Sequence, residues 1–188
     1  MTRVVGIGGT LREGSSSERL VRATLDRCAM RGVQVQMFDG PFLARLPHYD
    51  PGAPVRNDVE RALVEGVRTA DALVIASPGY HGGISGLVKN AIDLLEELAR
   101  DARPYFDGRP VGLIVSAAGW QATGVTLSAL RSVVHAMRGW PTPLGIAVNS
   151  VEQRPFDASG TLVDAAIMAQ IDTLADQLVA PLGAPVHA

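Results

Sequence analysis

The sequence predicts a doubly wound α/β protein built on a five-stranded parallel sheet. Two observations carry this. Five short, nearly unbroken apolar runs alternate with five longer segments whose apolar residues recur at helical spacing. Strands that are apolar on both faces belong to parallel sheets covered by helices on both sides. Right-handed crossovers then leave few topologies, and strand order 2-1-3-4-5 is the expected one.

Each element has its own signal. Val4 to Gly8 is a short apolar run ending in glycine, the first strand. Ser17 to Arg31 carries Leu20, Val21, Leu25, Cys28 and Ala29 on one helical face, and Gly32 ends it. Val33 to Phe38 alternates Val33, Val35 and Met37 with Gln34 and Gln36, a more exposed strand. Asp39 to Asn57 is rich in Pro and Gly and reads as a long loop, a kind more often functional than idle. Asp58 to Ala70 is the second helix, with Val59, Ala62, Leu63 and Val67 together. Asp71 to Ser77 is a buried strand and Ile84 to Arg100 the third helix. Pro110 to Ala118 and Pro143 to Val148 are the last two strands; Gly124 to Arg138 and Leu162 to Val179 are the last two helices. The expected organisation is one domain over residues 1–180 with a loose tail over 181–188.

Composition excludes several classes. The chain has 188 residues, 47% hydrophobic and 19% charged, which is globular and large enough to bury a core. A formal net charge of -2 gives no electrostatic grip on nucleic acid or anionic lipid. One cysteine, Cys28, rules out an intramolecular disulfide, and its place on an apolar helix face reads as packing. The N-terminus enters a strand directly, without the pattern of a signal peptide, and no apolar run would span a bilayer. The expectation is a cytoplasmic protein with neither nucleic-acid nor membrane partners.

Ligands of open parallel sheets sit beyond the C-terminal strand ends, where strand order reverses. That point lies between the first and third strands, and their two loops are the most distinctive segments of the chain. The first is Gly8-Gly9-Thr10-Leu11-Arg12-Glu13-Gly14-Ser15-Ser16-Ser17. Thr10, Ser15, Ser16 and Ser17 offer hydroxyls, Arg12 a charged fork, and the next helix its free N–H groups. This is a phosphate cradle made mostly of neutral donors. It is neither Gly-x-Gly-x-x-Gly nor a Gly-Lys-Ser/Thr loop, which favours a terminal monophosphate. A solvated loop with a serine cap would carry the same residues.

The second loop is Ser77-Pro78-Gly79-Tyr80-His81-Gly82-Gly83-Ile84-Ser85, running into Gly86-Leu87-Val88-Lys89-Asn90-Ala91-Ile92-Asp93. Tyr80 offers an aromatic face, and Gly82 and Gly83 offer room and backbone donors to a flat heteroaromatic ring. His81 suits a hydrogen bond to such a ring or a place on the surface. Lys89, Asn90 and Asp93 share a helical face, as a surface pair or a subunit contact. After the fourth strand, Ser116-Ala117-Ala118-Gly119-Trp120 is small enough for close approach, with Trp120 as a pocket wall or a packed side chain.

These motifs resemble the NAD(P)H-dependent FMN reductases of the flavodoxin-like superfamily, which also holds quinone and azo-dye reductases. The resemblance runs from Arg3 to about Val179. Gly9-Thr10-Leu11-Arg12 stands where that family has Gly-Ser-x-Arg, and Ser77-Pro78-Gly79-Tyr80-His81 where it has Ser-Pro-Glu-Tyr-Asn. The resemblance implies FMN as cofactor and NADPH or NADH as co-substrate. It implies phosphate ligands at Thr10, Arg12, Ser15 and Ser17, the last replacing an asparagine. Pro78, Gly79, Tyr80, His81 and Gly82 then form the ring loop, and Ser116 and Gly119 belong to the loop across the ring. Gly79 replaces a glutamate and His81 an asparagine, which bears on substrate preference and ring polarity. A homodimer or homotetramer is implied as well.

The expected activity is hydride transfer from a nicotinamide to flavin, with a small-molecule acceptor or a flavin-dependent monooxygenase as outlet. Alternatives are an FMN-retaining quinone or azo reductase, a flavodoxin-like electron carrier, and a regulatory domain without cofactor. A carrier would be expected to be more acidic than -2. No side chain stands out as acid, base or nucleophile, and there is neither a zinc-type cluster nor a Gly-x-Ser-x-Gly elbow.

Overall fold

The computed structural model describes residues 2–183. Strands β1 (Arg3–Gly8), β2 (Gln34–Phe38), β3 (Ala72–Tyr80), β5 (Pro110–Ala117) and β6 (Trp140–Asn149) form a parallel sheet in the order β2-β1-β3-β5-β6. A two-residue strand β4 (Gly83–Ile84) pairs antiparallel with the end of β3. Counting the parallel strands alone, this is the expected 2-1-3-4-5 order.

Alternation along the strands divides the interior into two cores. Val5, Ile7, Leu73, Ile75, Leu113 and Val115 point to one face, which is covered by α3 (Asp58–Arg68), α4 (Gly86–Leu94) and α5 (Trp120–Ala136). Val4, Ala72, Val74, Ala76, Ile114, Ile146 and Val148 point to the other, covered by α1 (Ser16–Ala29) and α6 (Ala165–Val179). Both strand faces are therefore buried, which is why the sequence shows continuous apolar runs. β2 is the exception. It lies at an edge, and Val35 is exposed despite its alternating pattern.

Helix boundaries follow their caps. Ser15 caps α1, and Asn57 and Glu60 form a reciprocal capping box on α3. Ser85 caps α4, so that helix begins two residues after the expected Ile84 and gives way to a 3-10 turn at Leu95–Leu98. α6 starts at Ala165, after its cap Asp164 and three residues beyond the expected Leu162, which instead bridges Phe156. Within the expected loop of residues 39–57 lies a short helix α2 (Gly40–Leu43), with Asp39 accepting from the Phe42 N–H at 3.0 Å and Pro41 in its first turn. α5 begins at Trp120 rather than Gly124, because Gly119 serves as its N-cap. The expected tail starts as a 3-10 turn at Ala180–Gly183, and residues 184–188 lie outside the described ones.

At the N-terminal edge of the sheet, Arg109 is buried without a carboxylate partner. Its guanidinium donates to the carbonyls of Ala70 and Arg68, both at 2.8 Å, and of Tyr105. Arg68 ends α3 and Ala70 follows its cap Thr69, where unpaired carbonyls and the negative end of the helix dipole favour a cation. Desolvation, with Arg103 nearby, lowers the Arg109 pKa to about 10. The pole opposite the loops of β1 and β3 is thereby closed.

The Asn57 cap gives a direct test. Asn57→Ala removes the acceptor for the Glu60 N–H and is expected to lower unfolding stability by about 1 kcal/mol, measured by urea denaturation.

Candidate functional site

A cavity of about 530 Å³ opens beyond the C-terminal ends of β1 and β3, where strand order reverses. That is an ordinary size for a small-ligand pocket. Thr10, Arg12, Ser15 and Ser17 line it from the first loop, Pro78, Gly79, Tyr80 and His81 from the second, and Ser116 from the third. Gly82 and Gly119 are outside the lining. Ser16, Ala117, Ala118 and Ser150 complete it.

The first loop is shaped by a backbone crossing. A Cβ on Gly9 would come within 2.5 Å of the Gly40 nitrogen, and a Cβ on Gly40 within 2.0 Å of the Thr10 carbonyl oxygen. Only two glycines permit that approach, and it pins the start of the loop against α2. Thr10 then closes its own turn, its hydroxyl accepting from the Arg12 N–H at 3.1 Å. Ser15 and Ser17 are buried at the first turn of α1, their hydroxyl oxygens 3.4 Å apart. The first-turn N–H groups of Ser16 and Ser17 have no acceptor within the helix. The Arg12 side chain is exposed and forms neither an ion pair nor a hydrogen bond among the described residues.

Behind this cradle, Glu18 is buried and accepts from Arg22 at 3.0 and 3.1 Å, and the same arginine reaches Asp39 at 2.8 Å. Arg22 thus offsets two carboxylates near the loop. The cavity lining itself contains none.

The second loop is a hairpin, not an open loop. β3 continues through Pro78 and Gly79 to Tyr80, turns at His81 (φ 53°) and Gly82 (φ 77°), and returns through β4. Two consecutive positive φ values with Tyr80 opposite Gly83 are the mark of a two-residue type I′ turn, whose twist matches that of the strands. The buried Ser77 hydroxyl cinches the base, donating to the Pro78 carbonyl at 2.8 Å and accepting from the Ser85 N–H at 2.9 Å. Gly79 has a packing reason. A Cβ there would meet Ala117 Cβ, the Ala122 carbonyl oxygen and Thr126 Oγ1, each at 3.1 Å. A side chain at 79 would press on α5, so Gly79 can offer a ligand only its main chain. Tyr80 is 57% exposed and stands at the rim.

The third wall is the end of β5, at Ser116 and Ala117. Trp120 does not line the cavity. It is half exposed and donates from Nε1 to Glu152 Oε2 at 2.8 Å. Ser150, just past β6, folds back so that its hydroxyl donates to the Ala117 carbonyl at 3.2 Å. Asn149 drives that bend, its side-chain oxygen accepting from the N–H groups of Val151 and Glu152, both at 3.1 Å. Lys89 pairs with Asp93 on the surface of α4, while Asn90 turns elsewhere. Cys28 is buried away from the cavity, and desolvation pushes its thiol up to about 11.

The charged arginine, three serines and the helix N–H groups therefore line the cavity from the first loop, and main chain, alanines, a tyrosine ring, His81 and the Ser116 and Ser150 hydroxyls line it from the others. That division suits a flat ring carrying a phosphate tail. The family model for NADPH-dependent FMN reductases matches residues 2–153. The chain belongs to that family. As an NADPH-dependent FMN reductase family member it is an oxidoreductase that uses FMN and NAD(P)H. It is 30% identical over 167 residues to an NAD(P)H-dependent FMN reductase of Pseudomonas aeruginosa, covering 86% of this chain and 85% of that one. It is 28% identical over 179 residues to an FMN-dependent NADPH-azoreductase of Staphylococcus aureus, covering 91% and 90%. Among solved structures, the NAD(P)H:acceptor oxidoreductase FerB of Paracoccus denitrificans superposes with TM-score 0.73 at 20% identity, covering 95% and 97%. A Streptococcus pneumoniae flavodoxin superposes with TM-score 0.65 at 11% identity, covering 96% and 99%, so the flavodoxin-like fold is shared. No helix among the described residues is long and apolar enough to cross a membrane.

Two measurements follow for this family member. A β-branched residue tolerates a left-handed conformation poorly, so His81→Val is expected to cost about 1–2 kcal/mol in urea unfolding where His81→Gly does not. Cys28 is expected to resist iodoacetamide at neutral pH in the folded protein and to react once denaturant unfolds it.

Proposed function

We propose that this chain reduces flavin with NAD(P)H while holding FMN across the cavity described above. The phosphate is assigned to Thr10, Arg12, Ser15 and Ser17 with the first-turn N–H groups of α1, and the ring to Pro78, Gly79, Tyr80 and His81, with Ser116 and Ala117 opposite. The observation that carries this is one continuous cavity with hydroxyls, helix N–H groups and Arg12 on the first-loop side, uncharged groups and His81 on the other and, among the described residues, no carboxylate in the lining and no partner for the Arg12 side chain. Ser150, outside the earlier expectation, adds a hydroxyl near the ring end.

Bound FMN supplies the two-electron chemistry. The protein's own contribution is to bind and orient. Helix N–H groups and Arg12 counter the charge of a phosphate. The hairpin presents Tyr80 at a fixed angle, and the open rim leaves one side free for a nicotinamide and then for an acceptor. No side chain is assigned a proton. The acceptor is a small molecule, free flavin or a quinone or azo compound, and reduced FMN released to a monooxygenase is the outlet when the flavin leaves. The proposed form is a homodimer or homotetramer in the cytoplasm.

Flavin titration followed by NADH and NADPH oxidation with FMN, quinone and azo acceptors tests the reading. Oxidation that depends on FMN is expected; a protein that takes up no flavin ends it. Arg12→Ala is expected to weaken FMN by about 10- to 150-fold, the equivalent of about 1.5–3 kcal/mol, with riboflavin affinity little changed. Equal FMN affinity in the variant and the wild type would remove the phosphate assignment.

A further inference from the structure

A second cavity of about 580 Å³ adjoins the first, sharing Thr10, Arg12 and Tyr80 with it. Its apolar lining is the buried Leu46 and partly buried Leu87, with the exposed Leu11 and the Tyr80 ring beside them. Its rim carries Arg12 and His48, and no aspartate or glutamate lines it. A ring fits such a lining, and an anionic substituent suits donors without a competing carboxylate.

His48 sits in a segment fastened over the core, with Leu46 buried and Tyr49 packed against the same cluster. Asn90 Oδ1 accepts from the Tyr49 N–H at 2.8 Å, and Asn90 Nδ2 donates to the Pro47 carbonyl at 2.8 Å. One amide thus grips the main chain on both sides of His48, as a neighbouring strand would. Arg56 braces the same stretch, stacking on Tyr49 at 5.0 Å and donating to the Asp50 carbonyl at 3.0 Å and to Glu97 at 2.9 and 3.0 Å. His48 itself is exposed and hydrogen-bonds to nothing among the described residues. The clamp fixes the main chain on either side of His48 and leaves its imidazole without a partner among the described residues, so a ligand would meet a donor carried on a fixed backbone.

We propose that this cavity selects planar aromatic acceptors bearing an anionic group, that His48 contacts the anion beside Arg12, and that Asn90 is the positioning residue for His48. The assignment of the bound molecule as an acceptor rests on the flavin reading above, since the cavity meets the first at Tyr80. The amide clamp also explains the asparagine on α4, which a surface-pair reading of Lys89 to Asp93 leaves without a task.

The test is direct binding. FMN-saturated protein and flavin-free protein are each titrated calorimetrically with naphthalene sulfonate and with its neutral isostere naphthalene sulfonamide. The sulfonate is expected to bind about tenfold more tightly. His48→Ala is expected to reduce that preference to about twofold, and His48→Lys, which keeps a donor, to retain it. Asn90→Ala is expected to lose the preference as His48→Ala does, and the double variant to lose no more than His48→Ala alone. Equal binding of the two probes by the wild type overturns the proposal. So does a preference that survives His48→Ala, a double variant with an additive loss, or displacement of FMN by the sulfonate. If Asn90→Ala unfolds, the exposed His48 variants still decide the matter. Failure to take up FMN with the sulfonate preference intact would sink the flavin reading and leave the binding site standing.

Discussion

The reversal of strand order between β1 and β3 is the constraint on which the site depends. β1 sends its chain to α1 on one face of the sheet, while β3 sends its chain through the hairpin to α4 on the other. The two loops must therefore part, and the space between them cannot be filled by either helix. Everything chemical in the protein is fitted to that gap. The Gly9–Gly40 crossing fixes one lip, and the Ser77 hydroxyl fixes the other.

Fixing the lips costs polar burial, and the protein meets it locally. Ser77 is fully buried but satisfied by its own loop, whereas Asn149 bends the chain after β6 with its amide oxygen and leaves its Nδ2 buried without a partner among the described residues. Glu18 is less complete, since one carboxylate oxygen is engaged by Arg22 and the other is buried without a partner. A carboxylate placed so close to an anion cradle is compatible with phosphate binding only because Arg22 lies against it. The far pole carries its own cost, because Arg109 is buried there with only carbonyls as hydrogen-bond partners among the described residues, and desolvation lowers its pKa.

Much of this was legible in the residues. Parallel strands buried on both faces write themselves as Val-Val-Gly-Ile and Ala-Leu-Val-Ile-Ala, and the topology followed from their alternation with helices. The two lips were legible because glycine, serine and arginine crowd into short segments at the strand ends. What escaped had weaker or competing signals. The turn at His81-Gly82 is hard to see in the sequence because a histidine at the first turn position is a less familiar hairpin signal than asparagine or aspartate, although it accepts the left-handed region. α2 hid among prolines and glycines, yet Asp39-Gly40-Pro41 is a cap followed by a first-turn proline. The sequence leaves Trp120 open between pocket wall and packed side chain, because the cap Gly119, which starts α5 four residues before Gly124, has no side chain to signal it. Ser150 comes from the last strand, whose end carries no glycine-rich flag, and only the fold brings it to the cavity. Asn90 belonged to a familiar helical motif, but its partners at 47 and 49 are more than forty positions away in the chain.

The contact between Gly79 and α5 has a consequence for how such a pocket can diversify. Because that position faces a helix and offers a ligand only amide groups, changes there would be felt first as a pried-apart interior. Novelty in ligand choice is therefore cheapest one or two residues later, at Tyr80 and His81, where the hairpin tip projects clear of the sheet. Directed evolution of new activities on this scaffold would do well to randomise the tip and spare its root.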